Sequence, residues 1–89
     1  MISRTFLIKN KYGLHARPAG MIVEITSRAQ SEVQIRYRDA RANAKSILNV
    51  MMLAATPGSE IEFLIDGPDE ELVSQQLETL FENRFYEDG

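Results

Sequence analysis

The sequence predicts an α+β fold: a four-stranded, mostly antiparallel sheet with helices on one face, in the order β-α-β-β-α-β-α. Two periodicities carry this expectation. Four segments alternate apolar and polar residues, and three segments carry apolar residues at spacings of three and four. Turn-forming clusters separate them. A length of 89 residues with 44% apolar content suits one small domain over 1–89 built on one core. It leaves no room for a cleft between domains, which argues against a large multi-substrate enzyme.

Ile2 to Ile8 reads as the first strand, with Ile2, Phe6 and Ile8 on one face. Asn10-Lys11-Tyr12-Gly13 is a polar turn. From Ala16 to about Ala29 the pattern turns helical through Ile22, Ile25 and Ala29, with Val23 beside them. Pro18 stands in its first turn, where a missing N–H costs nothing. Glu32–Tyr37 alternates cleanly as the second strand. Arg38-Asp39 turns the chain, and Ala40, Ala42 and Ala44 continue as a short third strand. Ser46 before the apolar run Ile47–Leu53 signals an N-cap and a short helix. Thr56-Pro57-Gly58-Ser59 is a strong turn, and Ile61, Phe63 and Ile65 mark the fourth strand. Gly67-Pro68-Asp69 stops it, with Asp69 a candidate cap. Val73, Leu77, Leu80 and Phe81 stripe a last helix over about 70–84, whose Glu70 and Glu71 suit the positive end of its dipole. The tail, Phe85 to Gly89, is expected to fray.

Composition narrows the function. The chain has no cysteine and one histidine, which excludes a thiol nucleophile and makes a zinc site improbable; no metal ligand set is expected. Neither a signal peptide nor a membrane span is expected, so the reading is a soluble, cytoplasmic protein. Residues 1–59 carry nine Lys/Arg against three Asp/Glu, and residues 60–89 carry one against ten. Solvated faces account for this. A basic surface that steers an acidic partner or a phosphate accounts for it too. The basic residues do not cluster with aromatics, so nucleic acid is not an expected partner.

The most informative segment is Gly13-Leu14-His15-Ala16-Arg17-Pro18-Ala19. A phosphoryl relay needs an exposed nucleophile that is unprotonated near neutrality and gives its phosphate up again, which suits histidine. A helix N-terminus presents backbone N–H groups to an anion. Arg17 brings a fixed charge with several donors. Pro18 stiffens the first turn and biases Arg17 away from helical geometry. Gly13 permits an unusual backbone conformation just before the site. Spacing alone leaves a second reading open, in which His15 caps the helix or decorates the surface.

The segment resembles the active-site motif of the HPr family, the histidine-containing phosphocarriers of the bacterial phosphotransferase system. The resemblance continues through Ala44-Lys45-Ser46-Ile47-Leu48, Val50-Met51-Met52-Leu53 and the Pro57-Gly58 turn, and it matches length and element order from end to end. It implies an open-faced β-sandwich. It implies that His15, through Nδ1, takes phosphate from enzyme I and hands it to IIA-type domains, with Arg17 assisting electrostatically. Gly13, Ala16 and Pro18 would support the helix start. It implies no cofactor in the chain itself, and a relay protein rather than a turnover enzyme; a monomer suits such a shuttle. Ser46, whose local role is an N-cap, fills the motif position that an HPr kinase/phosphorylase modifies in many bacteria. Ile47, Leu48, Met51 and Met52 crowd a short helix that cannot bury all its sides. We therefore expect Ile47, Leu48 and Met51 to contribute a docking patch.

The sequence also departs from common members. Arg38-Asp39 stands for the frequent Asn-Gly, and Ala54 stands where glycine is common. The tail with Phe85-Tyr86-Glu87-Asp88 is more similar to the nitrogen-related NPr branch, whereas Lys45-Ser46-Ile47 is more similar to the sugar branch. Two rival functions follow from other classes. An acylphosphatase-type enzyme would use Arg17 to bind phosphate, yet the chain lacks a second arginine-rich loop. A docking-only regulatory module would make His15 dispensable.

Overall fold

The structure, a computed structural model, describes residues 1–87. The expected element order is found: β1 (Ile2–Leu7), α1 (Ala16–Ser27), β2 (Glu32–Tyr37), β3 (Ala40–Asn43), α2 (Ile47–Met52), β4 (Glu60–Asp66) and α3 (Glu70–Glu82), followed by a single 3-10 turn, Arg84–Tyr86. The strands lie in the order β1-β4-β2-β3, and every pairing is antiparallel. β4, last in sequence, therefore slots between β1 and β2. Phe63 consequently faces Arg4 on one side and Ile35 on the other.

The two inner strands show why this order is stable. Val33, Ile35 and Tyr37 on β2, and Ile61, Phe63 and Ile65 on β4, are buried, while their neighbours point to the open face. Period-two side chains put one apolar face against the helices, and central strands bury it most completely. The helices supply Ala19, Ile22, Val50, Val73, Leu77 and Phe81 to the same core. Phe81 organises its end near α3. It stacks on Phe6 at 4.9 Å between ring centroids and meets Phe63 at 5.7 Å.

Several local expectations need correction. α1 ends at Ser27, two residues before Ala29. Arg17 is helical despite preceding Pro18. The pre-proline bias is only a preference, and burial of Pro18 and Ala19 in the first turn holds the helix through it. Asp69 occupies the N-cap position of α3 but makes no cap bond. Its carboxylate instead accepts from the backbone N–H groups of Gln30 and Ser31, at 2.9 and 3.0 Å, and from the Ser31 hydroxyl. These bonds hold its carboxyl below the usual range, the Ser31 hydroxyl contributing most. They draw the α1–β2 loop against Gly67. A Cβ at Gly67 would stand 2.5 Å from the Ser31 Cα, so that position admits only glycine.

The tail differs most from expectation. Phe85 is fully buried and meets Phe81 edge-on at 4.8 Å, so residues 85–87 stay docked instead of fraying. Asp88 and Gly89, the rest of that expected fray, lie outside the described residues. The uneven charge along the sequence is partly paired in space. Lys9 pairs with Glu82, Arg36 with Glu62, Arg4 with Glu71 and Arg17 with Glu87. Among the described residues no helix is long and apolar enough to cross a membrane.

Candidate functional site

The turn before α1 is built to present its next residue. Gly13 takes φ +68°, and a Cβ there would fall 2.3 Å from the Ala55 carbonyl oxygen. That close approach lets the Leu14 N–H donate to the Ala55 carbonyl at 3.1 Å, while the Leu14 side chain enters the core. The chain is thus bolted to the segment after α2 immediately before His15. Tyr37 fixes that segment from below: its hydroxyl bonds Ser59 Oγ at 3.0 Å and accepts from the Thr56 N–H at 3.3 Å.

His15 is the N-cap residue of α1, with an extended backbone at φ −76°, ψ −171°. Its carbonyl accepts from the Ala19 N–H at 3.0 Å, which closes the first helical turn. Its side chain makes no cap bond with any described residue. The capping alternative therefore loses the bond it requires. The first-turn amides of Ala16 and Arg17 have no intrahelical partner by geometry, and Pro18 has no N–H. Exposed Ala16 and buried Pro18 lie on opposite sides of this turn, so the helix start is anchored on one side and open on the other.

The imidazole is 38% exposed and reaches a partner that the sequence reading did not include. His15 Nε2 lies 2.8 Å from Glu87 Oε2, and Arg17 Nη1 lies 3.6 Å from the same oxygen. The other carboxylate oxygen, Oε1, accepts from Asn10 Nδ2 at 2.9 Å. Asn10 is fully buried, and its Nδ2 also donates to the Gly13 carbonyl at 2.7 Å. Tyr12 flanks the imidazole edge-on, 6.0 Å between ring centroids. Burial pushes the Glu87 carboxyl upward. The Asn10 hydrogen bond, the His15 charge and hydrogen bond, and the Arg17 charge outweigh it and leave the group below its ordinary value.

Of the expected site residues, the structure gathers Gly13, His15, Arg17 and Pro18 in one loop and helix start. Ser46 lies elsewhere, at the start of α2, where its Oγ accepts from the Asn49 N–H at 3.2 Å. Two bonds tie the segment before that start to α1 and the loop that follows it. Thr26 Oγ1 donates to the Ala44 carbonyl at 2.7 Å, and Lys45 Nζ donates to the Ala29 carbonyl at 3.1 Å. Val50 alone of α2 is buried; Ile47 is 46% exposed, Leu48 66%, and Met51 and Met52 also face solvent. Asn10 and Glu87 were missed by the sequence reading. A signal for Glu87 existed, because Phe85 follows Phe81 by four and extends the apolar stripe of α3 past its end.

With this geometry in view, comparisons with known proteins are specific. Residues 2–83 match the PTS-HPr family, described as "PTS HPr component phosphorylation site". The phosphocarrier protein HPr of Treponema pallidum is 43% identical over 88 residues, covering 99% of this chain and all of that protein. The phosphocarrier protein HPr of Xylella fastidiosa is 44% identical and covers 99% of both chains. Among solved structures, HPr-C-His from Thermoanaerobacter tengcongensis superposes with a TM-score of 0.94 at 37% identity over the whole of both chains.

Proposed function

The chain belongs to the PTS-HPr family, and on that footing we propose that it is a phosphocarrier of the phosphotransferase system whose phosphoryl group rides on His15. One observation supports this reading above the others: His15 opens a twelve-residue helix, yet its half-exposed ring is left uncapped beside Arg17. In the proposed step the Nδ1 lone pair attacks phosphorus as the N–P bond of the enzyme I phosphohistidine breaks. The amides at the helix start and the Arg17 guanidinium neutralise the phosphoryl oxygens. Transfer onward reverses this, with a nitrogen of a IIA-type domain as the new partner. No metal or cofactor is needed in the chain, and a monomer over 1–89 suits the shuttle. The cytoplasm, where such donors and acceptors meet, is the proposed location.

The exposed residues Ile47, Leu48 and Met51 would dock both partners, the same surface meeting donor and acceptor in turn. Methionine's flexible, polarisable side chain suits such reuse. Phosphorylation of Ser46 by an HPr kinase/phosphorylase would add charge at this face without unfolding α2, since a helix start tolerates phosphate.

Incubation with phosphoenolpyruvate, Mg²⁺ and an enzyme I tests the proposal by intact mass. Wild type should gain one acid-labile phosphate, and His15→Ala should gain none. A docking-only module would gain none in either form. Phosphate retained by His15→Ala would place the chemistry at another residue.

A further inference from the structure

We propose that Glu87 is a positioning residue for His15: its carboxylate holds the ring proton on Nε2 and leaves the Nδ1 lone pair for phosphorus. This rests on the reading that His15 carries the phosphoryl group through Nδ1. An ionised carboxylate only accepts hydrogen bonds. At 2.8 Å from Glu87 Oε2, Nε2 must therefore be the donor, which assigns the proton to that nitrogen and the free pair to the other.

The carboxylate is itself held from behind. Asn10, buried and tied to the Gly13 carbonyl, donates to Oε1, so both oxygens of Glu87 are engaged and its plane is set. The backbone is held as well. Arg84, Phe85 and Tyr86 all take positive φ near 55°, a conformation that costs a side-chain-bearing residue about 1 kcal/mol each. Full burial of Phe85 against Phe81 offsets that strain and swings the chain back towards α1. Glu87 is only 12% exposed, whereas nothing about a loose surface pair would require such a clamp.

The chemistry gives the contact a purpose. When Nδ1 bonds phosphorus and the donor N–P bond breaks, Nε2 keeps its proton and the ring becomes cationic. No proton leaves, and the adjacent carboxylate stabilises the new charge, as a buried aspartate does for a catalytic imidazole in acyl transfer. When the phosphoryl group departs, the pair returns to the ring and the charge disappears. Arg17, at the longer distance of 3.6 Å and more exposed, can turn from Glu87 to the phosphoryl oxygens while His15 stays oriented.

The test compares wild type, Glu87→Gln and Glu87→Asp. Glutamine has one acceptor and one donor group, so it cannot satisfy His15 and Asn10 together as the carboxylate does. Long-range ¹H–¹⁵N correlation at about pH 8.5, above the ordinary imidazole range, reads the tautomer without any phosphorylation. Wild type should show well-separated ring nitrogens with the proton on Nε2. In Glu87→Gln the two shifts should move towards each other, and phosphate uptake from enzyme I should slow about tenfold, the lower end of what losing the orienting partner of a metal-bound histidine costs. Glu87→Asp should recover part of both. A wild-type tautomer, or a wild-type uptake rate, in Glu87→Gln overturns the proposal. Phosphate uptake by His15→Ala would overturn the reading beneath it instead, and the tautomer result would still stand on its own.

Discussion

The starts of α1 and α2 are alike in design and opposite in state. Each is entered by a residue with extended backbone and a polar side chain, and each closes its first turn onto that residue's carbonyl. At α2 the Ser46 hydroxyl turns inward and accepts from the Asn49 N–H, so the helix satisfies its own end. At α1 the His15 ring turns away towards Glu87 and leaves the end open. The third start, at α3, is spent differently again. Asp69 braces a neighbouring loop, and Glu70 and Glu71 already supply negative charge to the first turn. Among the described α-helices, α1 is the one with neither a cap bond nor an acidic residue in its first turn. Whether a helix start is structural or chemical depends on where its N-cap side chain goes.

The sharpest way to break this comparison is to exchange the roles. His15→Ala should abolish phosphate uptake and lower the thermal midpoint only by what the Glu87 contact contributes, because no cap bond is lost. Ser46→Ala should do the reverse, leaving uptake intact while destabilising the protein by about 1 kcal/mol in urea titrations. Loss of uptake in Ser46→Ala would show that the two starts are not independent.

Next in size is the anchor that distinguishes the α1 end. Phe85→Ala empties a fully buried ring site and should cost about 3 kcal/mol in denaturant unfolding. It should also free Glu87, so that it reproduces the His15 tautomer shift expected of Glu87→Gln. An unchanged tautomer would mean that Asn10 alone keeps the carboxylate in place.

A pH titration sharpens the same point more gently. The Glu87 folded-state carboxyl lies below its ordinary 4.5. Its contribution to docking of the tail is therefore fully present above that value and is lost as pH falls through the lower folded-state value. Carbon chemical shifts of the Glu87 carboxyl should titrate below 4.5. A midpoint at or above it would mean that the contacts with Asn10, His15 and Arg17 do not outweigh burial.

The smallest expected effect concerns the end of α2. Ala54 takes φ +51°, the left-handed conformation that follows many helices, without the glycine that makes it easy. Ala54→Gly should raise stability by up to about 1 kcal/mol, and phosphate uptake should not change. A loss of stability would mean that the entropy glycine adds to the unfolded chain exceeds the strain relieved.

Much of this was legible along the chain. The strands β2 and β4 alternate without interruption, so their faces follow from side-chain period alone. His15, Arg17 and Pro18 are neighbours in sequence, so one helix start brings them together. Two positions were less legible for definite reasons. Asn10 looked like a turn residue because its second bond goes to Glu87, far along the chain. Glu87 looked like part of a fraying end because Arg84, Phe85 and Tyr86 leave helical geometry, hiding that Phe85 still packs on Phe81.

By itself, then, the sequence determined the periodicities, the turns, the exposed histidine at a helix start and the family. These are local properties, set by spacing and backbone preference within a few residues. Tertiary structure alone decided that β4 enters between β1 and β2, that Asp69 braces a loop instead of capping α3, and that the tail carboxylate meets His15. Each joins groups distant in the chain, and each depends on packing in the shared core, which no local pattern encodes.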